Sequence, residues 1–192
     1  KVPPLQAFGT GKVDEAEIIA AMREWIDKAV IGLNLCPFAK AVYVKNQVRF
    51  VVSAARHLDG LLEELDRELD FLAAADPDDI DTTLLIPPTL LPDFLDFNDF
   101  MQLAEAAVDE HGLDGVIQIA SFHPHFQFEG TAPDELGNYT NRAPFPTLHL
   151  LREASIARAV AAFPEAETLY ARNIETVNAL GLSGWQALWR KP

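Results

Sequence analysis

A chain of 192 residues, 49% of them hydrophobic, is long enough to bury one sizeable core and short for two. Its 29 acidic against 15 basic residues leave a formal net charge of -14, which repels phosphate backbones and anionic bilayers; neither nucleic acid nor membrane is expected as a partner. No apolar run approaches the roughly 20 residues of a membrane span, the first residues do not read as a signal peptide, and a cytoplasmic protein is the expectation. The single cysteine, Cys36, excludes an internal disulfide framework.

Residues 1–13 carry Pro and Gly with no usable period and are expected to form an arm, followed by one globular domain over 14–192. From Asp14, the apolar residues Ile18, Met22, Trp25, Ile26, Ala29, Val30 and Leu33 recur at helical spacing, with Asp14, Glu15 and Glu17 at the end that favours negative charge. Pro37 is expected to stop this helix near Cys36, which places the thiol at or just beyond a helix C-terminus. Gln47 to Ser53 reads as a strand, and the leucines from Leu58 to Leu72 as an amphipathic helix behind it. Thr82 to Ile86 repeats the strand, and Phe97 to Val108 the helix, closed by Gly112. Val116 to Phe122 is a third strand whose exit, at His123, is a natural place for a site. Leu150 to Phe163 and Pro164 to Leu180 read as two final helices, with Pro164 in the first turn of the second and Gly181 past its end. Strands alternating with helices predict an α/β domain, with α+β the alternative, in which a small mixed sheet is packed by about five helices.

The residue types that carry chemistry concentrate between Ser121 and Glu153. If the chain stays extended past His123, then His123, His125, Gln127 and Glu129 share one face. Two imidazoles and a carboxylate are the minimal set for a facial triad holding iron, and the same ligands suit zinc. The spacing resembles the first metal motif of cupins, although the helix content argues against a cupin barrel. His149 and Glu153, four apart at the expected start of a helix, offer a second pair with Arg152 beside them. The metal ligands expected are therefore His123, His125, Glu129 and His149, with a divalent metal, iron ahead of zinc, as cofactor. Asn138, Asn141, Arg142 and Arg152 are expected to hold substrate, because an Arg fork suits a carboxylate or phosphate. Cys36, His123, His125 and Glu153 are the candidate catalytic residues. Cys36 before Pro37 admits a packing thiol, a nucleophile served by His123 or His125, or a thiolate ligand to haem. His57 and His111 read as isolated surface residues.

Four segments, Gly32 to Ala39, Ser121 to Phe128, Asn138 to Pro144 and Leu148 to Glu153, together resemble a bacterial family known as domain of unknown function 1415. The resemblance spans about Glu17 to Leu180 and implies a free-standing cytoplasmic protein with no reaction attached. The function expected from the residues is a metal-dependent enzyme acting on a small anionic molecule, with redox chemistry at iron ahead of hydrolysis at zinc. The alternatives are a thiol enzyme using Cys36, a haem-binding protein, and a non-catalytic protein that binds a ligand or partner through the polar segment.

Overall fold

The computed structural model describes residues 14–163 and 165–191. The arm expected over 1–13 and the helix-start position of Pro164 lie outside the described residues. Asp14 caps helix α1 (Glu15–Trp25) by accepting from the Ala16 N–H, and Glu15 and Glu17 occupy its first turn. The helix then widens into a π-helical stretch, Ile26–Ile31. Gly32 closes that stretch by donating its N–H to the Asp27 carbonyl at 3.0 Å, and a Cβ added there would lie 2.3 Å from the Lys28 carbonyl oxygen. Only glycine tolerates so close a backbone approach. The first helix therefore ends before Cys36, which lies just beyond it, its N–H still directed at the Val30 carbonyl, and precedes a short helix, α2 (Ala39–Val44).

Strand β1 (Val48–Val52), helix α3 (Leu58–Ala74), strand β2 (Thr82–Ile86), helix α4 (Phe94–Glu110) and strand β3 (Ile117–Phe122) follow as the periodicity predicts. The structure then departs from expectation. Residues 147–152, the end of which fits the start of a helix by sequence, form strand β4 (Thr147–Arg152), and helix α5 (Glu153–Ala162) begins only at Glu153. Short apolar runs satisfy both helical and strand periods, and here the open slot between β2 and β3 decides. The last helix, α6 (Leu169–Ala187), is broken at Gly181, whose φ of 71° takes it out of helical geometry where the sequence places a helix end.

The sheet is mixed, in the order β1-β2-β4-β3. β1 and β2 are parallel, while β4 runs antiparallel to both β2 and β3. Strands β1, β2 and β3 thus point the same way and end at one edge. Alternation along the strands feeds two cores: Leu85, Leu148, Leu150 and Ile117 meet the leucines of α3 and the aromatic residues of α4, while Leu84 and Ile86 meet Ile18, Met22 and Trp25 of α1 and Val177 and Trp185 of α6. The result is a four-stranded mixed sheet with helices on both faces. No helix among the described residues is long and apolar enough to cross a membrane.

Candidate functional site

The exit of β3 is built around His123, which is 0% exposed. Its Nδ1 accepts the N–H of His125 at 3.0 Å, so the ring proton sits on Nε2, which donates to the Leu91 carbonyl at 2.9 Å. Phe94 and Phe97 pack on the ring with centroids 5.4 and 5.0 Å away. Burial pushes the His123 pKa down, against the opposing pull of the Leu91 carbonyl. Both nitrogens of this neutral imidazole are engaged, so neither is free to ligate a metal without breaking a hydrogen bond.

The chain does not stay extended past His123. Phe126 N–H returns to the His123 carbonyl at 3.1 Å, making a turn through Pro124 and His125. The alternating face expected for His123, His125, Gln127 and Glu129 is therefore lost: His125 and Glu129 are exposed, and Gln127 donates to the Thr131 carbonyl at 2.6 Å. His149 lies on a different side of the sheet. It is paired with Leu84 and Ala120 in the central strand β4, and its ring packs 5.9 Å from Phe122 on the α1 face, whereas His123 packs toward α4. His149 keeps some exposed surface, yet the protein around its ring pushes its pKa down to about 4. Glu153 is not its helical neighbour, because the strand's rise of about 3.3 Å per residue carries Glu153 beyond the end of the sheet, where its N–H donates to the Val116 carbonyl. Among the described residues no group of three or more His, Cys, Asp or Glu side chains is disposed to hold a metal ion.

The four residues expected to hold substrate have structural partners. Asn138, fully buried, accepts from Phe128 N–H and the Thr131 hydroxyl through Oδ1 and donates to the Ala132 carbonyl. Asn141 donates weakly to the Ser121 carbonyl at 3.4 Å and accepts from Thr140. Arg142 is buried, donates to the carbonyls of Phe126 and Pro133 at 3.1 and 2.7 Å, and lies over the Tyr139 ring at 4.3 Å. Arg152, at the other end of the sheet, closes the α3–β2 connection by donating to the carbonyls of Ala75 and Ile80. Polar side chains that looked available for a ligand are here the stitching of loops, which sequence spacing does not distinguish.

Cys36 is half-buried, and its thiol takes the N–H groups of Phe38 and Ala39 while burial raises its pKa overall. Neither His123 nor His125 hydrogen-bonds to it in the structure. The segment before it is tied to α6 by Asn173, whose Nδ2 donates to the Leu35 carbonyl at 2.7 Å. His111, read as an isolated surface residue, instead bridges two carboxylates of α3, with Nδ1 2.8 Å from Asp70 and Nε2 2.9 Å from Asp66.

A cleft of about 280 Å³, not expected from the sequence, lies between the 128–137 segment and α6, lined among others by Phe128, Thr131, Glu135, Tyr170, Ile174 and Asn178. Phe128 and Tyr170 meet edge to face with centroids 5.3 Å apart. One signal was present in the sequence: Tyr170, Ile174 and Asn178 recur every four residues and so share one face of α6.

Residues 17–187 match the family described as protein of unknown function (DUF1415). No curated protein and no solved structure matches the chain.

Proposed function

Since the chain belongs to this family of proteins of unknown function, DUF1415, whose description carries no reaction, we propose from its geometry that it is a binding protein that takes a small molecule in the cleft between residues 128–137 and α6. The observation that carries this reading is the cleft's lining, which joins two aromatic rings and the aliphatic Leu136 and Ile174 to the Thr131 hydroxyl, a carboxylate and an amide. That mixture of apolar contact with a few polar groups is the usual character of a small-molecule site.

The wall of the cleft is also braced. Asn138 holds Phe128 and Thr131 from behind, and Arg142 ties Phe126, just before the loop, to Pro133 within it through their carbonyls. A loop held in this way enters binding with little conformational entropy left to lose. Its volume, near the lower end for ligand sites, suits a ligand of amino-acid size.

The rival readings are the metal-dependent reaction at the histidines and the thiol reaction at Cys36. A fragment titration of the full chain, followed by amide NMR, separates them. Binding that survives His125→Ala and Cys36→Ser but is weakened by Tyr170→Ala supports the proposal. Turnover that requires a metal and is abolished by His125→Ala defeats it.

A further inference from the structure

We infer that the ligand of this cleft is a small organic cation, an ammonium or guanidinium compound with an apolar flank. The inference rests on the proposed use of the cleft and adds the chemical class. Its lining contains no Lys, Arg or His, and its one charged side chain is Glu135. Glu135 accepts from the Ala132 N–H at 3.1 Å through Oε1, and Oε2 takes no hydrogen bond among the described residues. A carboxylate anchored through one oxygen and free at the other is oriented to meet a cation.

The aromatic groups supply the second half of the argument. Tyr170 is 58% exposed although it lines the cleft with Phe128, so its ring stands open to a ligand. A cation within about 6 Å of such a ring is attracted by the negative charge of its face. Asn178, exposed on the same face of α6, adds an amide able to accept from an N–H or donate to an oxygen. The surrounding loop carries Glu129, Asp134 and Glu135 with no basic residue between Phe128 and Gly137, and the chain as a whole stands at -14. That field draws cations in and repels anions. The two arginines that suggested an anionic ligand donate instead to backbone carbonyls, Arg142 on the loop behind the cleft and Arg152 at the far end of the sheet.

Three probes of nearly equal shape test the charge: choline, its neutral carbon isostere 3,3-dimethylbutan-1-ol, and the anion 3,3-dimethylbutanoate, each titrated into the full chain while backbone amide shifts are followed. Saturable choline shifts confined to residues 128–137 and 170–178, at least about fivefold tighter than for the neutral isostere, are expected. Glu135→Gln and Tyr170→Leu should each weaken choline about two- to fivefold more than they weaken the neutral probe. Equal binding of all three probes at the cleft overturns the cation assignment while the cleft itself stands as a site. If no probe of any charge moves these amides, the cleft reading fails and the cation assignment fails with it.

Discussion

The Nε2–H of His123 donates to the carbonyl of Leu91 at 2.9 Å, joining the exit of β3 to the connection between β2 and α4. Leu91 is buried and holds φ at 58°, a left-handed conformation that costs a residue with a Cβ about 1–2 kcal/mol. The imidazole supplies the carbonyl's partner in that conformation, and Phe94 and Phe97, in the first turn of the following helix, close over the ring. A histidine read from sequence as the first metal ligand is in this fold a tether between two loops at the edge where three parallel strands end.

Removing the tether should therefore cost stability. His123→Ala leaves the Leu91 carbonyl and the His125 N–H without their partner and opens a cavity beside two phenylalanines, for which a loss of about 2–4 kcal/mol is expected. Urea unfolding followed by tryptophan fluorescence measures it. A loss below about 0.5 kcal/mol, within the range of ordinary surface substitutions, would remove the tether from the account.

The sequence resolves what repeats and misreads what depends on context. Helices α3 and α4 announce themselves because a long amphipathic stripe has one solution, and β2 because five consecutive residues are buried between two layers. β4 was hidden: Leu148 and Leu150 alternate with His149 as a strand requires, but the run from Leu148 through Ile156 also fits a helix, and only the neighbouring strands choose. The turn at Pro124 and His125 then undid the expected ligand face, since a single departure from extended backbone reassigns every residue after it. Hydrogen-bonding side chains in loops are ambiguous in the same way. Asn138 and Arg142 have the chemistry of ligand contacts, and it is the positions of the Ala132, Phe126 and Pro133 carbonyls, set by tertiary structure, that claim them.

Two histidines should shape the pH dependence of stability in opposite directions. Burial holds His149 at about 4 in the fold against an ordinary 6.5, so between those values the unfolded chain binds more protons. The stability it contributes is present above pH 6.5 and is lost as pH falls toward 4, a change of about 3 kcal/mol. His123, also lowered by burial, acts in the same sense. His111 is raised, first by its hydrogen bond to Asp70 and then by Asp66; its contribution is full below 6.5 and is lost as pH rises through its elevated pKa. Thermal melts across pH should accordingly show an acid limb that flattens in His149→Phe and an alkaline decline that His111→Gln removes. An acid limb of unchanged slope in His149→Phe would assign it to other groups.

Cys36 carries a prediction of slowness. The N–H groups of Phe38 and Ala39 favour its thiolate, but burial outweighs them and leaves the pKa above the ordinary value for a thiol. The thiolate is the species that alkylates, so the native protein at pH 7.5 should react with iodoacetamide more slowly than a free cysteine, and the rate should still be climbing at pH 9. Access contributes as well: the thiol is half-buried, and the residue before it is fastened to α6 by Asn173 through the Leu35 carbonyl. Asn173→Ala frees that fastening without touching the sulfur or its two N–H partners, and should speed alkylation while leaving its pH midpoint in place. A rate that instead levels off below pH 7 in the native chain would mean a stabilised thiolate, and would turn the reading of this residue from packing to nucleophile.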